Sequence, residues 1–389
     1  MLDNKRKELC CGCSACFNIC PQAAITMSPD ALGFLYPVVD DTRCVKCGLC
    51  EKVCSFSSDY AKPIDFDKPF LFGVRHKKFC EVATSRSGAA FIALSEKILS
   101  LGGVVYGAGY TDHFRVVHKR ATEKKGLDEF KGSKYVQSDV GDVFTKIRDD
   151  LKAGLYVLFS GTSCQVAGIK SFLNITAKKY LDRFYTIDIV CHGTPGPFVW
   201  KEYLDYLERK ERDVAVAVSF RDKELFGWAA HKESVSFMHK GKKPYSSYAY
   251  LFSQRVMFRH SCGICHFANI KKPGDVTIAD FWGWQKTNEN ANKDDKGLSL
   301  VLCNSKKGKE LFDEIQNSVD CFPVKLEDGL QPNLKRPTII NEKRMAFERD
   351  FEKYGIEYVM KKYGDMGWRY KMKRAYITFK NFVKKMIRR

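Results

Sequence analysis

The 389-residue sequence has no apolar run near the roughly 18 residues that a membrane-spanning helix needs. Its opening, M-L-D-N-K-R-K-E-L-C, carries basic residues with no apolar core behind them, so no secretory signal is expected. Acidic residues are the scarcer charge, 46 against 65 Lys and Arg, for a net charge of +19. The deficit is local. Residues 1–60 hold six basic and seven acidic side chains, whereas residues 360–389 hold eleven basic ones and only Asp365. An excess concentrated in a tail, over a mildly basic body, argues against nucleic acid as a partner. With 44% hydrophobic residues the chain can pack two or three domains. These absences predict a cytoplasmic protein whose sixteen cysteines stay reduced, as metal ligands, catalytic thiols or small core residues.

Cysteine is abundant where its spacing is most regular. Cys10, Cys13, Cys16 and Cys20-Pro21 follow C-x2-C-x2-C-x3-C-P, and Cys44, Cys47, Cys50 and Cys54 repeat the spacing with Ser55 in place of proline. Three cysteines at intervals of three on a tight turn can reach three irons of one cubane, while the fourth serves the other cluster, as in two-cluster ferredoxins. The expected sets are Cys10, Cys13, Cys16 and Cys54 for one [4Fe-4S] cluster and Cys20, Cys44, Cys47 and Cys50 for the second. Zinc is the competing reading, but structural zinc sites use paired hooks rather than triplets with an outlying fourth ligand. Cys11 is left over and reads as a small residue packed beside a cluster.

The pattern predicts an α+β ferredoxin-like domain over 1–60, a linker over 61–70, an α/β body in two parts over 71–153 and 154–330, and a helical basic tail over 331–389. Strands are expected at L-F-G-V-R, V-V-Y-G-A-G-Y and F-R-V-V-H, and a helix over Ser87–Leu101 with Phe91, Leu94 and Ile98 on one face. Leu155–Gly161, a helical Cys164–Leu173 and F-Y-T-I-D-I-V form a βαβ pattern. Further strands are expected near V-A-V-A-V-S-F, V-S-F, V-T-I and L-S-L-V-L, and a helix near Gly308–Val319.

Six short segments of the body are unusual: S-G-A-A-F (Ser87–Phe91), G-S-K-Y-V-Q-S (Gly132–Ser138), S-G-T-S-C-Q-V-A-G (Ser160–Gly168), C-H-G-T-P (Cys191–Pro195), S-C-G-I-C-H-F (Ser261–Phe267) and D-F-W-G (Asp280–Gly283). In this order and spacing the chain resembles the coenzyme F-420 hydrogenase/dehydrogenase beta-subunit family, some members of which carry a fused two-cluster ferredoxin domain. The resemblance implies a flavin-binding α/β body holding FAD, with clusters that exchange electrons with it. The family pattern usually has proline at Ser163 and a second glycine at Ala89.

Ser87 and Gly88, at the expected start of a helix, could meet a pyrophosphate, the alternative being a plain N-cap. Lys134, with Tyr135, Gln137 and Ser138 in the same motif, offers a cation and donors for a flavin edge or a phosphate, or else a solvated turn. Ser160, Gly161 and Thr162 follow a strand and precede a helix, where α/β sheets bind ligands. Cys164, Cys191, Cys262 and Cys265 stand inside the motifs and are expected to hold a third [4Fe-4S] cluster, with zinc or unligated core thiols as alternatives. His192 and Asp280 are candidates for proton handling beside the flavin. His192 could titrate near neutral pH, and an unpaired Asp280 in an apolar setting would have a raised pKa. Arg221 and Lys223 could meet an acidic substrate or be solvated.

The expected function is an iron–sulfur flavoprotein oxidoreductase that passes electrons between a ferredoxin or other redox-partner protein, its clusters and FAD, with hydride transfer to or from F-420 or another small acceptor. Two alternatives are a reductase of a sugar or other biosynthetic intermediate, and a non-catalytic electron-carrier subunit. Trp368, Met372, Ala375, Phe379, Phe382 and Met386 would form one face of a basic amphipathic helix. That face could touch the inner membrane surface or dock on the body.

Overall fold

A computed structural model of the chain describes residues 7–58, 60, 65–368, 370, 372, 376 and 379. The cysteine-rich region is built on a hairpin of β1 (Ile25–Pro29) and β2 (Leu35–Val39), paired antiparallel, with short helices Ala15–Ile19 and Leu49–Lys52 on its flanks. The hairpin comes from the two alternating segments between the cysteine runs, closed at Gly33, whose φ of 84° suits glycine.

The body is α/β, centred on one mixed eight-stranded sheet. Its strands are β3 (Phe70–His76), β4 (Val104–Tyr110), β5 (Val116–Ala121), β6 (Val157–Thr162), β7 (Phe184–Ile189), β11 (Val276–Asp280), β12 (Ser299–Cys303) and β13 (Val319–Pro323). The order is β13-β3-β12-β11-β7-β6-β4-β5, with β4, β6, β7 and β11 parallel to one another and the rest antiparallel. The parallel strands read as continuous apolar runs because both their faces are covered. Val157, Leu158 and Phe159 are wholly buried, and the helix Ser163–Thr176 packs back on β6 as a βαβ crossover should. A second sheet of β8 (Ala215–Ser219), β9 (Glu233–Phe237) and β10 (Gly241–Tyr245) is antiparallel and packs with the helices Pro197–Glu211 and Arg344–Lys362.

Two expected elements shift. The helix near Gly308–Val319 occupies Lys306–Asp313, and Val319 begins the edge strand β13. The helix expected from Ser87 starts at Ala90, after Ala89 at φ 61°. Gly88 stays outside it, its carbonyl accepting from the His76 N–H of β3 at 2.8 Å, and the approach is so close that a Cβ there would sit 2.1 Å from the Val74 carbonyl oxygen. Ala89 thus holds the left-handed conformation that glycine would adopt without strain. No helix among the described residues is long and apolar enough to cross a membrane. Of the expected tail face, Trp368, Met372 and Phe379 are exposed, while Ala375, Phe382 and Met386 lie outside the described residues, as do residues 61–64 of the expected linker.

Candidate functional site

The two N-terminal cysteine runs share a backbone conformation as well as a spacing. Gly12 and Ser14 have φ of 68° and 62°, and thirty-four positions on, Lys46 and Gly48 have φ of 56° and 74°. Left-handed residues at alternate positions permit a concavity of backbone N–H groups, which suits an anion such as an iron–sulfur cluster. That Lys46 accepts left-handed strain marks the shape as required. Cys10 and Cys54 lie near Cys16: burial first, then these two neighbours, push the Cys16 thiol up to about 12. Cys13 is buried on the helix Ser163–Thr176, where a Cβ at Gly168 would fall 2.8 Å from its sulfur. In the other run Cys47 is exposed and Cys44 and Cys50 half-buried.

A second group of thiols gathers in the body. Cys164 follows the first residue of its helix, Cys191 lies just past β7, and Cys262 and Cys265 lie in and just after the short turn His260–Ile264. All four line one cavity of about 40 Å³ together with Cys11. Burial, then the charges of Cys262 and Cys164, raises the Cys191 thiol, and burial raises Cys262 to about 11. Buried thiols that line one cavity suit a bound metal, which alone stabilises several thiolates together. Cys11, which the sequence leaves as a packing residue, has its thiol beside those of Cys13 and Cys164. It lies between two cysteine groups rather than beside one.

The second cavity, about 380 Å³, opens at the carboxyl ends of β6, β7 and β11. Ser87, Lys134, Tyr135, Gln137, Ser138, Ser160, Gly161, Thr162, His192 and Asp280 line it, but Gly88 is not among them. The volume suits a nucleotide-sized ligand. Its donors are partly committed. The Gln137 amide donates to the Cys11 carbonyl at 2.8 Å and accepts from Arg259 at 2.9 Å. Lys134 Nζ donates to the carbonyls of Glu129 and Lys131 at 2.8 and 2.9 Å, and burial brings its ammonium down to about 7. Thr162 and Gln165 form a capping box, and Gln165 Nε2 donates to Ser138 Oγ at 3.0 Å.

Asp280 is paired rather than isolated. Its carboxylate accepts from Ser87 Oγ and from Arg221 Nη1. Burial alone would raise its pKa, but Arg221, Arg86 and Ser87 outweigh it and hold it below the ordinary range. For His192 burial dominates and lowers its pKa, so it stays neutral at neutral pH. Ser87 also accepts from Trp228 Nε1 at 3.0 Å, and Trp228 stacks on Trp282 with ring centroids 4.6 Å apart. Lys223 is buried away from the cavity, its Nζ donating to the carbonyls of Val82 and Lys296.

Arg86 has no counterpart in the sequence reading. Its Nε is buried without a hydrogen-bond partner, and burial, then Arg221, brings the guanidinium down to about 10. Arg221 pairs with Asp280, while Arg86 beside it donates to the Arg221 carbonyl at 3.0 Å and to the Trp228 carbonyl, so cations outnumber carboxylates and this end of the cavity fits an anionic group. Arg86 stands next to Ser87 in S-R-S-G, and that adjacency was its only signal in the sequence.

Residues 155–323 match the family model for the C terminus of the beta subunit of coenzyme F420 hydrogenase/dehydrogenase, and residues 9–58 match that for a 4Fe-4S dicluster domain. Among solved structures, the F420-reducing [NiFe] hydrogenase complex from Methanosarcina barkeri, in a xenon derivative, is similar at a TM-score of 0.47 and 14% identity, covering 78% of this chain and 98% of that one. No curated protein matches the chain in sequence.

Proposed function

We propose a function from one premise: residues 155–323 match the C terminus of the coenzyme F420 hydrogenase/dehydrogenase beta subunit, and residues 9–58 join to it a 4Fe-4S dicluster domain. The chain is an iron–sulfur oxidoreductase in which two N-terminal clusters, a third cluster on Cys164, Cys191, Cys262 and Cys265, and FAD in the larger cavity form one conduit. The observation that carries this reading is the shared wall between the cavities. Thr162, Cys191, His192, Gly193 and Thr194 line both, so a cluster on these thiols would adjoin a ligand in the larger space.

Each group of residues has a task along that line. The exposed Cys47 marks the end where a ferredoxin or other redox protein would dock. Cys13, packed on the helix that carries Cys164, brings the N-terminal unit against the body. At the far end Arg86 and Arg221 hold the anionic part of the ligand, Asp280 fixes Arg221, and the Trp228–Trp282 stack shields the site from water. Neutral His192 keeps a nitrogen free to accept a proton. FAD, when bound, exchanges electrons singly with clusters and as a hydride with a small acceptor such as F420.

Anaerobic purification with iron, sulfide and flavin quantification tests the scheme: about twelve irons and one FAD per chain are expected. Clusters without flavin would leave an electron-carrier subunit, and zinc with no flavin would end the oxidoreductase reading. Assays of the purified protein with F420 separate that acceptor from a biosynthetic intermediate.

A further inference from the structure

Arg259 is the largest fully buried side chain of the described residues, 1% exposed. It lies three residues before Cys262, and its backbone N–H donates to the Thr194 carbonyl at 3.0 Å. Its guanidinium leaves the body and reaches into the first cysteine run. Nε donates to the Cys10 carbonyl at 2.8 Å, Nη1 to Gln137 Oε1 at 2.9 Å and Nη2 to the Leu35 carbonyl at 2.9 Å. Nη2 also stands 3.5 Å from Cys10 Sγ. The Tyr36 ring covers it, with Cζ 4.1 Å from the centroid. Gly12 gives it room, since a Cβ there would fall 2.7 Å from Nη1. Arg259 also lines the cavity of Cys164, Cys191, Cys262 and Cys265.

Among the described residues no carboxylate forms an ion pair with Arg259. Carbonyls, an amide and a ring satisfy its donors but supply no countercharge. A buried, uncompensated guanidinium is costly, and structures keep one only where something anionic balances it. The groups facing it are a cysteine sulfur on one side and a cavity of thiols on the other. Thiolate-held cubanes are the anions that would fit both.

Resting on the reading that both cysteine groups hold clusters, we propose that Arg259 is the shared counter-cation of two adjacent clusters, the one on Cys10, Cys13, Cys16 and Cys54 and the one in the body. One-electron reduction adds one negative charge to a cluster. A fixed positive charge hydrogen-bonded to the ligand shell favours that reduced form and raises the reduction potential. The cluster on Cys20, Cys44, Cys47 and Cys50 lies outside these contacts. Arg259 therefore makes the two inner clusters better electron acceptors than the outer one and biases electrons inward. It is a positioning and electrostatic residue, not a catalytic one.

The test is a redox titration of the anaerobically purified full chain followed by electron paramagnetic resonance, comparing wild type with Arg259→Met and Arg259→Lys. At the potential where an inner cluster of the wild type is half reduced, Arg259→Met should show roughly a tenfold lower reduced-to-oxidised ratio. The outer cluster should titrate as in wild type, which makes it an internal control. Arg259→Lys keeps the charge but loses the fork, and should show a smaller shift in the same two clusters. Wild-type potentials in Arg259→Met at full iron content overturn the proposal, as does an equal shift of all three clusters. If Arg259→Met does not assemble, Arg259→Lys decides alone: a shift confined to the inner clusters supports the proposal, and no shift overturns it. Iron content of the wild type separates the two readings, because a zinc-loaded chain would refute the clusters themselves.

Discussion

The N-terminal unit and the body solve the problem of staying folded in opposite ways. The body has a sheet of eight strands and buries whole runs such as Val157–Phe159 and Leu300–Cys303. The N-terminal unit has one two-stranded hairpin and two helices of five and four residues, too little to stand alone. Its apolar residues join the body's clusters: Ala15, Ile19, Val53 and Phe56 pack with Phe144, Val166 and Phe172, and Leu32 and Phe34 pack with Val199 and Trp200. One region is thus held by hydrophobic burial of its own, the other by what it docks on and by what its cysteines bind. Under the proposed function this docking would press the N-terminal clusters against the body's thiols instead of leaving them on a linker.

The most damaging way to test that contrast is to remove the metal. Cys16→Ser with Cys50→Ser, one substitution per expected N-terminal cluster, should remove about eight irons. It should open residues 7–58 to limited proteolysis while the body remains resistant, as read by mass spectrometry of the fragments. Equal protection in variant and wild type would show that burial alone holds the unit, and the contrast would fail.

The next largest effect lies in the body. Asp280→Asn leaves Arg221 without its carboxylate, and breaking a buried pair costs about 3–5 kcal/mol. Urea unfolding should show that loss together with an unchanged N-terminal iron content. The sign with pH follows from the lowered carboxyl: its contribution is present above the ordinary aspartate value of 3.8 and is lost as pH falls below it.

A smaller, purely functional effect sharpens the assignment of the large cavity. Burial brings the Lys134 ammonium down to about 7, and an anionic ligand would favour its charged form. Ligand binding above pH 7 then takes up a proton, so FAD affinity should weaken by up to about tenfold per pH unit from 7 upward. Lys134→Met should flatten that slope in fluorescence titrations. A slope unchanged in the variant would remove Lys134 from the ligand site.

Much of the strand pattern was legible because parallel strands buried on both faces leave apolar runs that composition alone reveals. The departures came where a neighbour distant in sequence intervened. The His76 N–H of β3 takes the Gly88 carbonyl that the helix expected from Ser87 would use, and Asp280 looked isolated because Arg221 and Arg86 lie 59 and 194 positions away in the chain. Gln137 reads as a ligand donor from its motif, yet its amide also ties Arg259 to the Cys10–Cys13 loop.

The sequence by itself determined the two cysteine runs, their thirty-four-residue repeat and the motifs of the body, because the pattern of a dicluster domain in a tight loop is set by local spacing. Only the tertiary structure decided that four scattered cysteines and Cys11 line one cavity, that this cavity shares a wall with the larger one, and that a lone guanidinium from the body is buried in the N-terminal loop. Those arrangements depend on which strands lie side by side and on how charges are balanced out of water, and neither is written in the spacing of neighbouring residues.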